Sequence, residues 1–218
     1  MISGRYSYKL SLRDLPEMFA VRGIEFCHET VQEWEAKLTP ALAEDLRRRR
    51  RGKAGRSWHV DATYIKVGGR WCYVYRAIDG SGALVDVVFS DKRDMAAARA
   101  FFLSAKATTG ITPDRVTSDC HASYPRAIRA ELGRGVRHRT GVHRNNRLEQ
   151  DHRGLKGRYR PMRGFECPGS AARFCRAYDE LRDFLHPRPR YNQHVPADRR
   201  RSLFFGRAAT VLAILEAA

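Results

Sequence analysis

Three acidic residues stand out by where they lie. Asp61 falls in the middle of Trp58–Val67 (WHVDATYIKV), an apolar and aromatic run that reads as a β-strand. A carboxylate buried alone there costs several kcal/mol, so it requires a partner or a metal. Asp119 ends the short strand Arg115–Asp119 (RVTSD), at the strand edge where open α/β sheets carry their functional groups. Glu149 lies in a predicted helix, with His152, Arg153 and Lys156 at i+3, i+4 and i+7 on the same face. From 134 to 163 there are ten Lys and Arg but only two acids, Glu149 and Asp151.

Taken singly, each of these carboxylates is explained as well by a surface ion pair. Together they suit hard divalent cations. Mg²⁺ takes oxygen ligands and is commonly held by one or two carboxylates with phosphate and water. Two such ions about 4 Å apart activate an attacking oxygen and stabilise the leaving one at phosphorus. The cationic face beside Glu149 suits a phosphate backbone.

The elements that must position these residues follow from periodicity. Trp58–Val67 and Arg70–Ile78 flank Gly68-Gly69, a hairpin turn signal, and Ala83–Phe89 forms a third strand. Asp94–Ala107 reads as a helix, Arg115–Asp119 as a strand, Tyr124–Leu132 as a helix and Val136–Arg139 as a strand. Asn145–Lys156 and Ser170–Leu185 complete the pattern as helices. The order β-β-β-α-β-α-β-α-α predicts a mixed sheet with helices on its faces. Trp58, Trp71, Tyr73 and Tyr75 suit cross-strand pairs first and base stacking second. Asp79, Asp86, Asp91 and Asp94 read as turn, strand-surface and cap residues. Pro161-Met162-Arg163-Gly164 reads as the turn ending the Glu149 helix.

Residues 1–46 hold two candidate helices around Arg22-Gly23. They read equally as a helix-turn-helix and as a plain helical hairpin. Asp14 is expected to cap the first helix, with Pro16 in its first turn. Residues 47–57 (RRRRRGKAGRS) read as a basic linker, 58–186 as the α/β domain and 187–218 as a basic C-terminal tail.

Composition limits the function classes. The 218 residues suffice for one full domain, and 43% hydrophobic content supports a core. Lys and Arg number 41 against 24 Asp and Glu, a net charge of +17, which points to a polyanionic partner, nucleic acid before membrane. No apolar run reaches the roughly 18 residues of a spanning helix. Met1-Ile-Ser-Gly-Arg-Tyr lacks a secretory core. Five cysteines without a CxxC pair read as reduced thiols of a cytoplasmic protein. His138, His143, His152, Cys167 and Cys175 match no structural zinc spacing.

The blocks WHVDATYIKVGGRWCYVYRAID, SDKRDMAAARAFF, RVTSDCHASYPRAI and HRNNRLEQDHRGLKGRYRPMRGF resemble the DDE transposases of bacterial insertion sequences, most closely the IS-six family. That resemblance implies a ribonuclease-H-like, integrase-like catalytic core preceded by a small, truncated helix-turn-helix. The family's three acids fall on Asp61, Asp119 and Glu149, which would be both catalytic residues and ligands of two Mg²⁺ ions, with Mn²⁺ a substitute. Its basic residue falls on Lys156, expected to bind DNA phosphate with Arg153 and His152. The resemblance further implies an enzyme that nicks the inverted-repeat ends of its element and joins them to target DNA. It would act as a homo-oligomer on DNA, nucleoid-associated in the cytoplasm and away from membrane. Two departures favour an alternative, an inactive DNA-binding remnant. Only 29 residues separate Asp119 from Glu149, and the helix expected before LSLRDL is reduced to Met1–Lys9. The helix His28–Leu38 also carries Glu29, Glu33 and Glu35 against Lys37, an acidic surface that repels phosphates.

Overall fold

The computed structural model describes Tyr6 and residues 10–141, 146–160, 162, 164–185 and 195–217; of 146, 147, 150 and 151 it describes the backbone only. The strands are β1 (Ser57–Val67), β2 (Arg70–Asp79), β3 (Leu84–Ser90), β4 (Arg115–Ser118) and β5 (Arg137–Thr140). They form a five-stranded sheet in the order β3-β2-β1-β4-β5. The first three strands meander antiparallel, and β4 and β5 run parallel to β1. The hairpin turn uses Gly68 and Gly69 with φ of 51° and 80°, the positive values a two-residue turn requires. Asp79 closes the next turn, accepting from the amides of Ser81 and Ala83 at 2.8 and 2.9 Å.

Seven described helices follow: α1 (Asp14–Ala20), α2 (His28–Arg48), α3 (Met95–Thr109), α4 (Ser123–Glu131), α5 (Asn146–Tyr159), α6 (Pro168–Leu185) and α7 (Ala197–Glu216). Strand alternation divides the apolar residues between the two faces of the sheet. Trp58, Val60, Tyr75 and Val116 pack on Phe101 and Phe102 of α3 and on Tyr124 and Ile128 of α4. Ile65, Val74 and Val87 pack on Phe174, Tyr178 and Leu181 of α6, on Leu42 and Leu46 of α2, and on Leu155 of α5. Each fully buried large apolar side chain contributes about 1.5–3 kcal/mol, so both helical layers are held firmly. This is the mixed sheet with flanking helices that the element order predicts.

Several expectations need correction. Asp14 does not cap α1; Ser11 Oγ accepts from the amides of Arg13 and Asp14 at 3.2 Å, while the Asp14 carboxylate accepts from Ser11 N at 2.6 Å. The stretch read as a linker begins inside α2. Two of its arginines reach into the molecule: Arg47 donates to Asp86 (3.1 Å) and to the Ser104 hydroxyl (2.7 Å), and Arg50 grips both carboxylate oxygens of Glu180. Asp86 is therefore a buried anchor rather than a strand-surface acid. The C-terminal stretch holds the helix α7, which inserts Val211 into the α2–α6 layer with Phe204, Ile214 and Leu215 beside it. Among the described residues no helix is long and apolar enough to cross a membrane.

Candidate active site

Asp61 faces the α5–α6 side of β1, directly opposite Arg76 in the β1–β2 register. Arg76 itself is buried and engages Asp179 of α6, from Nε to Oδ2 at 3.1 Å and from Nη2 to Oδ1 at 2.6 Å. The Asp61 side chain is 19% exposed. Burial pushes its carboxyl up to about 6. The Asp119 and Glu149 carboxylates push the same way, while the Ala62 amide and Arg93 oppose them. Three acids from a strand centre, a strand end and a helix thus act on one electrostatic neighbourhood.

Asp119 follows the last residue of β4. Its Oδ1 accepts from His121 N at 3.1 Å, and its Oδ2 lies 2.5 Å from Arg93 Nη2. Ser118 secures this strand end: its hydroxyl donates to the Asp119 carbonyl (2.9 Å) and lies 2.9 Å from His138 Nε2 on β5. Glu149 is exposed on α5. The buried Leu148 and Leu155 seat that helix at i, i+7 spacing. Gly154 lets it approach α6 closely, because a Cβ there would meet Tyr178 Oη at 2.7 Å.

The cationic trio is divided by the fold. Arg153 is exposed. Lys156 places Nζ 4.2 Å from the centroid of the Tyr64 ring. His152 does not reach the phosphate-facing surface expected of it. It is buried, with Nδ1 3.7 Å from Asp61 Oδ2 and Nε2 without a hydrogen-bond partner among the described residues. Burial, reinforced by Arg76 and Lys156, pushes the imidazole down to about 3. At 3.7 Å the contact is too long for a hydrogen bond, so His152 is a neutral neighbour of Asp61 and not an ion-pair partner. Asn145, His143, Pro161 and Arg163, singled out by sequence, lie outside the described residues.

Sequence reasoning missed Arg93, whose only signal was a basic residue between β3 and the cap Asp94. It also missed the acid-lined setting of Tyr124, whose hydroxyl is driven up by burial and by Asp119 and Asp61. The donor chemistry fits a hard divalent cation, because a carboxyl raised by burial and like charge is what such a cation relieves. Among the described residues, no three acidic, imidazole or thiol groups stand close enough to hold an ion as the side chains lie. Arg93 engages one Asp119 oxygen, and Glu149 points to solvent.

Residues 55–186 match the family described as DDE domain, of IS240-type transposases. The chain is 35% identical over 155 residues to "Transposase for insertion sequence-like element IS431mec" of Staphylococcus aureus (strain Mu50 / ATCC 700699), covering 69% of this chain and 68% of that one. Among solved structures it is similar to the HTLV-2 integrase catalytic core domain in complex with magnesium, with 18% identity and a TM-score of 0.45, over 71% of this chain and 99% of that one. It is also similar to a chain of the simian T-cell lymphotropic virus intasome in complex with PP2A regulatory subunit B56 gamma. Identity there is 18% and the TM-score 0.45, over 71% of this chain and 57% of that one.

Proposed function

The chain belongs to the DDE-domain transposase family, and from that membership we propose that it cleaves DNA at the ends of an insertion sequence and joins those ends to target DNA. What supports this reading is that Asp119, just past β4, and Glu149, on α5, both push up the buried Asp61 carboxyl of β1, so acids from three separate elements bear on one place. Each carboxylate supplies oxygen ligands for Mg²⁺, or Mn²⁺ in its place. Two such ions, when bound, supply the charge that activates water or a DNA 3′-hydroxyl and neutralises the leaving oxygen. Asp61 holds its place through the Ala62 amide at 2.7 Å and through the β2 ladder, where it stands opposite Arg76. The neutral His152 excludes water from its inner side. Exposed Arg153 and half-buried Lys156 hold the DNA backbone. Two ends must be handled together, so the working form is a homo-oligomer on DNA.

The test is joining of a pre-cut donor end to a supercoiled plasmid by the purified chain. Wild type is expected to join with Mg²⁺ or Mn²⁺. Asp61→Asn, Asp119→Asn and Glu149→Gln should each lose more than about 100-fold, beyond the cost of losing a group that merely supports a metal ligand. Wild type that binds DNA and joins nothing with either ion would overturn this reading in favour of a DNA-binding remnant.

A further inference from the structure

The sheet face covered by α3 and α4 runs out at Ala62 and Tyr73, which are partly buried against that layer. The face itself continues. Strand alternation puts Tyr64 and Lys66 on the same side as Ala62, and the register sets Tyr73 opposite Tyr64 and Trp71 opposite Lys66. Tyr64 is 53% exposed and Trp71 56% exposed. Their rings meet edge-on, with centroids 5.1 Å apart and an interplanar angle of 87°. Two ammonium groups flank them: Lys156 Nζ stands 4.2 Å from the Tyr64 centroid, and Lys66 Nζ 5.9 Å from that of Trp71. Folding accounts for the buried Trp58 and Tyr75 but not for two large rings left in water at the end of a hairpin.

The patch is joined to the acidic site through α5. Along β1, Tyr64 lies three residues, about 10 Å, from Asp61 and on the opposite face of the sheet. Lys156 lies one turn of α5 beyond His152, which stands against Asp61. Aromatic faces interleaved with cations are the surface that holds single-stranded nucleic acid: bases stack, and phosphates meet the lysines. A duplex hides its base faces and gains only the cations. We propose that Tyr64 and Trp71, with Lys66 and Lys156, form a stacking platform for unpaired bases of the DNA strand handled at Asp61. The proposal rests on the DNA-joining reading and adds a base-contacting surface to it.

The full chain is tested for equilibrium binding to a fluorescein-labelled single-stranded oligonucleotide and to the blunt duplex of the same sequence, at one salt concentration. Joining by wild type is measured in parallel. Trp71→Ala should weaken single-strand binding by about 5- to 100-fold, the range for loss of one stacked base. It should change duplex binding less than about 2-fold. Trp71→Phe should restore most of the loss, and Tyr64→Ala should behave as Trp71→Ala does. Unchanged single-strand affinity in both alanine variants would overturn the platform, and so would an equal loss on both DNAs. Wild type that joins ends while Trp71→Ala binds normally removes the platform alone. Wild type that binds single strands through Trp71 and joins nothing removes the joining reading and leaves the platform standing.

Discussion

Arg93, on the loop between β3 and α3, donates to Asp119 at the end of β4 with Nη2 and Oδ2 2.5 Å apart. The guanidinium thus occupies one side of a carboxylate that a divalent ion would also use. It is also the cation that opposes the upward push on Asp61. A single arginine therefore balances part of the acidic cluster.

Removing that arginine separates competition from support. Arg93→Gln is expected to bind Mn²⁺ about 3- to 10-fold more tightly without DNA, because a competing cation has left Asp119. Calorimetric titration checks it, and weaker Mn²⁺ binding would show that Arg93 organises the site instead of competing within it.

Asp61 carries the cost of its surroundings. Burial raises its carboxyl from an ordinary 3.8 to about 6. The folded chain therefore binds the proton more tightly than the unfolded chain, and this group opposes folding as pH rises through that window. At pH 8 without metal, Asp61→Asn should gain about 1–3 kcal/mol and melt about 2–8 °C higher. A lower melting temperature would contradict the uncompensated state of this carboxyl.

Gly154 governs how closely α5 approaches α6. Alanine is the better helix former by about 1 kcal/mol, yet its Cβ would stand 2.7 Å from Tyr178 Oη. Tyr178 is buried and stacked with Phe174, their planes 7° apart, so the ring cannot easily yield. Gly154→Ala should cost about 1–3 kcal/mol and reduce DNA joining by displacing Glu149. Gly154→Ala with Tyr178→Phe, which removes the clashing oxygen, should recover much of both losses in denaturation and joining assays.

Cys167 precedes α6, where Ser170 N lies 3.4 Å and Ser170 Oγ 3.3 Å from its sulfur. The Ser170 side chain and amide lower the thiol below its ordinary value, while burial raises Cys72 and Cys175. Iodoacetamide at neutral pH should label Cys167 well before Cys72 and Cys175, read by peptide mass spectrometry. Its rate should climb at a lower pH than that of an ordinary thiol, and Ser170→Ala should move that rise upward.

Much of the scaffold was legible because it is local. Alternation in WHVDATYIKV, the Gly68-Gly69 turn and the cap Asp94, which accepts from Ala97 N at 2.8 Å, depend on neighbours along the chain. The helix α7 was missed, because the basic composition at Arg199–Arg201 outweighed the apolar spacing of Phe204, Val211, Ile214 and Leu215. The three carboxylates were nameable by their element positions and by a family pattern.

Side-chain fate was not local. Arg47 and Arg50 look like their neighbours Arg48 and Arg49, yet only the first two meet buried acids, on β3 and α6. His152 shares a helix face with Arg153 and Lys156 in spacing, yet it alone is pressed against Asp61 and stripped of water. Tyr64 and Trp71 read like Trp58 and Tyr75, and they differ because α3 and α4 stop short of them. Residue order decides which side chains point the same way; which of those directions loses water depends on what distant segment packs across it, and that is settled only when the chain closes on itself.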